Sequence, residues 1–361
     1  MATLSRLIII IIYPALFFFF LGQLGRLNFG QFSFPILDIC IVVLSLTNFL
    51  VQRKTVKPNK FLLIFLAIAI ISNLIHLSPY PFPPFQSWFY LLRLISLTLL
   101  IIYPPKLTRK ENYLIEIILI STLVFGFIQY LFWPNFTYFK AFNWDPHLYR
   151  LVGAFFDPTF TGLILLFFLI RLYFSDYRYR LPFIILSYLG LALTYSRASL
   201  LCFLLAFTFI AVRKKTQKIF FTAFFCVLLT IVLLPRTPGE GTKLERTSSI
   251  FAKIKNYQEG ISLFVTTPIT GVGYNNLPYL RLNPTSHANS GFDGSLLTIA
   301  VTTGIFGLIF LCLGLYREFI NGSFLYQTLL LILLVHSLFS NSLFYPWATL
   351  LLALSKLKNH R

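Results

Sequence analysis

The chain has 361 residues, of which 57% are hydrophobic, 18% aromatic and only 11% charged, with 30 basic against 11 acidic side chains and a formal net charge of +19. So apolar and charge-poor a balance departs from that of soluble globular domains and points to lipid as the solvent. The positive charge suggests nucleic acid at first, but the basic residues are scattered between apolar runs and build no stripe with aromatics, so nucleic acid is excluded as a partner.

In chain order, apolar runs of the length a hydrocarbon core requires fall at 7–22, 33–51, 61–77, 87–103, 113–132, 160–174, 181–195, 198–212, 219–234, 294–315, 324–340 and 343–354. The expected fold is therefore all-α: a polytopic integral membrane protein of about twelve transmembrane helices, forming a single membrane domain over 1–361. The seventh and eighth runs need separating. One helix over 181–212 would be roughly 48 Å long, beyond the bilayer core, and would carry Arg213, Lys214 and Lys215 to the outer side. Two short spans with a tight turn near Ser196 and Arg197 avoid both problems. With cytoplasmic termini, most basic loops (Arg53 to Lys60, Lys106 to Lys110, Arg213 to Lys218) lie inside, as the positive-inside rule asks. The first run lacks a cleavage site of small residues and reads as an uncleaved anchor. Cys40, Cys202, Cys226 and Cys312 all fall inside spans and suggest no disulfide framework.

This topology leaves one long polar segment, 235–292, outside the cytoplasm between spans nine and ten. It also gathers Arg150, Asp157, Arg197, Lys253 and His287 on that same face. Within the segment, Ser249 reads as the cap of an amphipathic helix whose stripe Ile250, Ile254, Tyr257, Ile261 and Phe264 lies in the outer membrane interface until Thr266. A tight turn at Pro268 to Asn276 follows, then Ser286-His287-Ala288-Asn289 leads into the tenth span.

Four motifs over residues 150–315 resemble, in order, those of the O-antigen ligase and O-antigen polymerase group of bacterial membrane glycosyltransferases. They are Arg150-Leu-Val-Gly-Ala-Phe-Phe-Asp157-Pro-Thr, Thr194-Tyr-Ser-Arg197-Ala-Ser, Pro268-Ile-Thr-Gly271-Val-Gly273, and Ser286-His287-Ala-Asn289 with Thr303-Gly304-Ile-Phe-Gly307. Departures are Lys253 with Tyr257 where the family often has Arg and Trp, Asp157 for the commoner Asn, and Ala288 between His287 and Asn289. Lysine cannot offer the bidentate fork of arginine.

The resemblance implies transfer of a glycan from an undecaprenyl diphosphate carrier to an acceptor hydroxyl on a glycan, lipid or protein, at the extracytoplasmic face of the cytoplasmic (inner) membrane. A diphosphate leaves as a stable anion, so the chemistry asks for cations more than for a general acid. Arg197 then grips phosphate oxygens, Arg150, Lys253 and Asn289 bind substrate, and His287 removes the acceptor proton while neutral. The expected reaction is inverting, without cofactor or metal, since outer-face carboxylates that could hold a divalent ion are few. Plainer alternatives stand beside each role. Arg197 is also what a snorkelling arginine at a span end looks like, His287 a capping histidine, Lys253 a contact to lipid headgroups, and Gly271 and Gly273 turn residues. Asp38 and Arg93 read as a buried structural pair, Glu116 as interfacial and His336 as a polar packing contact. A repeat-unit polymerase and a transporter of lipid-linked sugars are the rival functions. The transporter is disfavoured because the polar segment has no counterpart in the first half of the chain.

Overall fold

The computed structural model describes residues 2–29, 32–76, 85–142, 144–235, 237, 239–280 and 291–356. The fold is helical: α1 (Ala2–Leu21), α2 (Ile36–Gln52), α3 (Lys60–Ile75), α4 (Phe85–Ile102), α5 (Arg109–Phe132), α6 (Pro158–Tyr173) and α7 (Arg180–Leu193) form the first half. The second holds α8 (Arg197–Lys214), α9 (Gln217–Leu233), α10 (Ser248–Thr266), α11 (Leu277–Leu280), α12 (Ser295–Asn321), α13 (Phe324–His336) and α14 (Pro346–Ser355). Each of the twelve apolar runs coincides with one helix; α10 and α11 lie in the polar segment. Among the described residues, α5 and α12 are long and apolar enough to cross a membrane by length and composition, and nine other apolar helices span 10–17 residues. Large apolar side chains face outward all round, among them Ile10, Leu46, Ile71, Phe132, Phe221 and Val232, a surface suited to hydrocarbon and costly in water.

At the centre stands α6, buried without interruption from Thr161 to Leu172. Its start is fixed by Asp157, whose carboxylate accepts from the N–H groups of Thr159 (2.6 Å) and Phe160 (3.0 Å), and by Pro158 at the first helical position. At its other end Arg171, fully buried, pairs with Glu116 Oε1 at 3.0 Å and donates to Ser355 Oγ at 2.6 Å. Glu116 is thus the counter-ion of a buried guanidinium. Arg93 Nε lies 3.3 Å from Asp38 Oδ1, joining α4 to α2.

Between α7 and α8 the chain turns through Thr194 to Ser196, with Tyr195 at φ +51° and the Ser196 hydroxyl accepting from the N–H of Ser199. One element has no helical counterpart in the sequence reading. Strands β1 (Arg26–Phe29) and β2 (Phe32–Pro35) pair antiparallel, and Arg26 clamps the hairpin by donating to Ser33 Oγ, Ser33 O and Gln23 Oε1.

A break in α12 locks the polar segment onto the bundle. Gly304 stands at φ +71° and ψ −176°, a conformation open only to glycine, so the helical ladder stops there. The freed carbonyls of Val301 and Thr302 accept from the N–H groups of Val272 (3.0 Å) and Gly273 (3.1 Å), and Ile305 N–H donates to Pro268 O at 2.8 Å. Ser72 Oγ, from α3, lies within hydrogen-bond reach of both Thr270 O and Thr302 O. The turn at Gly271 and the break at Gly304 are therefore two halves of one joint.

Candidate functional site

A cavity of about 1370 Å³ opens where the N-terminal ends of α6 and α8, one face of α10, the β1–β2 hairpin, α4, the segment 144–157 and the turn 338–341 converge. Six basic side chains (Arg26, Arg93, Arg150, Arg197, Arg246, Lys253) and three aspartates (Asp145, Asp157, Asp293) line it among the described residues. Its walls are also rich in aromatics, with Tyr345 stacked on Phe160 at 4.1 Å between ring centroids and tilted against Trp347 at 4.8 Å.

The cations differ in what they have left to offer. Arg150 is buried and donates through Nε to Thr194 O at 2.9 Å, which fixes the plane of its guanidinium. Its two terminal nitrogens hold no partner among the described residues. Burial first, then the like charges of Arg246 and Arg197, pull its pKa down to about 10 against the opposing influence of Asp157. A cation held at such cost beside other cations suits an anionic ligand. Arg197 is employed differently: it donates to Leu244 O (3.2 Å), Arg246 O (2.8 Å) and Ser249 Oγ (2.7 Å), so two of its nitrogens organise the loop ahead of α10. Arg246 in turn donates to Gly241 O and Lys243 O, both at 2.8 Å. Lys253 donates to Phe339 O and stands 3.5 Å from Asp293 Oδ1, tying α10 to the turn after α13.

One expectation for α10 needs correcting. Ser249 does not cap it: the helix starts at Ser248 after Thr247, without a side-chain cap, so Ser249 is already inside the helix and its hydroxyl accepts from Arg197. The stripe residues Ile250, Ile254, Tyr257 and Ile261 line the cavity, and Leu297 packs against Gly260 too closely for a β-carbon. Gly271 and Gly273 sit in the joint with α12 and do not line the cavity.

The cavity brings together Arg150, Arg197 and Lys253. His287 and Asn289 lie outside the described residues. Asp38 lies behind the wall that its partner Arg93 lines. His336 is fully buried between Ser342 and Ser199, a packing position. Sequence reasoning passed over Arg246, Trp144, Tyr345 and His147. Arg246 was visible as a basic residue in the polar segment, and His147 as a titratable group three residues before Arg150, but no periodicity singles out either. The His147 imidazole is lowered in pKa by burial, with Arg150 and Arg246 adding to that and Asp157 and Asp145 opposing it. Its Nε2 is buried with no hydrogen-bond partner among the described residues.

With this geometry in place, residues 182–312 match the family described as O-Antigen ligase, a stretch that runs from α7 into α12 and contains Arg197, Arg246 and Lys253. The motif resemblance is thereby supported over this region, and the family is one of membrane-integral glycosyltransferase-like proteins. No curated protein matches the chain.

Proposed function

We propose that the protein is a twelve-span membrane glycosyltransferase of the O-antigen ligase type, moving a glycan from undecaprenyl diphosphate to an acceptor hydroxyl on the extracytoplasmic face of the inner membrane. The observation that carries the reading is Arg150: a buried guanidinium held in one plane through Nε, in the wall of a cavity whose described residues carry more cations than carboxylates. Two parallel N–H donors suit a phosphate oxygen pair, and a desolvated site makes them strong. Arg197 and Arg246 supply positive potential behind it while shaping the loop, and Lys253 adds charge from α10. The apolar stripe of α10 offers the isoprenoid a route from the bilayer, and the aromatic wall at Phe160, Tyr345 and Trp347 suits sugar rings.

In the displacement, the acceptor oxygen attacks the anomeric carbon, its proton passes to His287, and the carbon–oxygen bond to the diphosphate breaks with the electron pair leaving on phosphate. Configuration inverts. Asn289 orients the acceptor. The chemistry draws on side chains alone, without metal or cofactor.

The test is transfer of labelled glycan from undecaprenyl diphosphate to an acceptor pool in liposomes, with chelator present, comparing wild type with Arg150→Met, Arg197→Ala and His287→Ala at matched folded protein. Loss in all three supports the site. Unchanged transfer in all three overturns it, and the product separates ligase (finished glycan on a new acceptor) from polymerase (lengthened repeat).

A further inference from the structure

We infer that His147 is a ligand of the donor diphosphate and takes up a proton when that diphosphate binds, an inference that rests on the reading of the cavity given above. The residue has no structural occupation that would explain it. Its segment is held by main-chain bonds: Phe136 N–H donates to His147 O at 2.8 Å, Tyr149 N–H to Pro134 O at 2.8 Å, and Asn135 pairs with Leu148. Among the described residues the imidazole contributes nothing to this, and its buried Nε2 has no partner. A packing histidine satisfies its ring nitrogens, as His336 does between Ser342 and Ser199. His147 instead lines a polar cavity and, among the described residues, keeps an unspent Nε2 that is covered from solvent.

Its neighbours say which ligand it would meet. The charged groups that act on it among the described residues are Asp157 at the start of α6, Asp145 and Arg150 from its own segment, and Arg246 from the loop before α10. The two cations are those assigned to the diphosphate. In an inverting displacement the acceptor's base stands across the anomeric carbon from the leaving group, so a histidine grouped with the phosphate-binding cations is on the departing side. It therefore does not compete with His287 for the acceptor proton.

In the empty cavity burial and the two arginines favour the neutral ring. An incoming phosphate anion reverses that balance at short range and stabilises the imidazolium, which then offers N–H donors on both nitrogens. Proton uptake on binding means that affinity rises as pH falls, through the window between the pKa of the bound state and the lower pKa of the empty one. The same charge remains in place to stabilise the diphosphate as it departs.

The test is calorimetric titration of the full chain in detergent with a short-chain isoprenoid diphosphate, in buffers of different ionisation enthalpy, for wild type and His147→Gln. Titration of the ligand's own phosphate is common to both proteins and cancels in the difference. Wild type is expected to take up as much as one proton more than the variant. Its affinity should gain about three- to tenfold more than the variant's between pH 7.5 and 6.5. Binding with equal proton counts and parallel pH curves overturns the inference alone; no diphosphate binding by wild type overturns the cavity reading with it. Should His147→Gln fail to fold, diethyl pyrocarbonate labelling of wild type, read by peptide mass spectrometry, replaces it. Bound diphosphate is expected to shield His147, and undiminished labelling overturns the proposal.

Discussion

Replacing Gly304 by alanine tests the joint between the polar segment and the bundle. The new β-carbon would lie 2.0 Å from Ile269 O and 2.5 Å from Ile269 C, main-chain atoms that cannot rotate away. Holding a non-glycine residue at φ +71°, ψ −176° costs about 1–3 kcal/mol. If the turn is displaced, the bonds Val272 N–Val301 O, Gly273 N–Thr302 O and Ile305 N–Pro268 O are lost together, at about 0.5–1.5 kcal/mol each. The total is about 3–7 kcal/mol, which at about 2 °C per kcal/mol for a chain of this size lowers the melting temperature by about 5–15 °C. Thermal unfolding in detergent, followed by tryptophan fluorescence, reads it. Gly271→Ala opens the same joint from the other side, since its β-carbon would meet Thr302 C at 2.4 Å and Thr303 N at 2.5 Å. The double variant is therefore expected to lose little more than either single one. A Gly304→Ala protein that melts with wild type, or a double variant that loses the full sum, would refute the reasoning.

Arg150→Met should separate stability from activity. The fall of the Arg150 pKa to about 10 sets a ceiling of about 3 kcal/mol on the cost of holding its charge in the empty protein, present below that pH and relieved above it. Losing the bond to Thr194 O takes back about 1.5–3 kcal/mol, so the melting temperature at pH 7 is expected to stay near that of wild type while transfer falls about 100-fold. A large loss of stability with transfer retained would contradict this. Asp38→Ala, which strands Arg93 in a largely buried position, is expected to destabilise by about 3 kcal/mol, with Asp38→Asn/Arg93→Gln recovering part of it; a purely additive double-mutant cycle in thermal unfolding would show that the pair is not coupled. At the start of α5, ahead of the apolar run, burial raises the Glu111 pKa, but hydrogen bonds from the Thr108 hydroxyl and N–H outweigh it and bring it below the usual value. The cap therefore contributes above the ordinary glutamate range and is lost as pH falls through the depressed value. Thr108→Ala should remove about 1 kcal/mol at pH 7 and less at pH 3, read as hydrogen exchange in the first turn of α5.

The helices could be read in the sequence because each apolar run is bounded by turn residues or charge, and the break between α7 and α8 because one long span would have violated both bilayer thickness and charge placement. Arg150, Arg197 and Lys253 could be read as cations on one face. What Arg197 does with its nitrogens could not, since its partners Leu244, Arg246 and Ser249 lie some fifty residues away and two of them act through carbonyl oxygens that every residue possesses. Gly304 looked like part of a motif, and only its contact with Ile269 reveals why no side chain fits there. The hairpin at Arg26 was hidden because its second strand runs straight into the apolar sequence of α2. Ser249 misled because a serine before an apolar run is the usual cap, whereas the helix begins one residue earlier and the hydroxyl accepts from a guanidinium.

The family match stops well short of the cavity's outline. Of the residues on its walls, Gln23, Arg26, Tyr90, Arg93, Trp144, His147, Arg150 and Asp157 precede the matched stretch, and Tyr345 and Trp347 follow it. Trp347 Nε1 donates to Phe19 O at 3.1 Å, so the two ends of the chain close the chamber together. An exchange of α7 to α12 between two such proteins would thus carry across the loop cations while leaving the aromatic and hairpin walls of the host in place. Whatever depends on those walls and on Arg150 should follow the host, and the inherited segment should bring its own cations Arg197, Arg246 and Lys253.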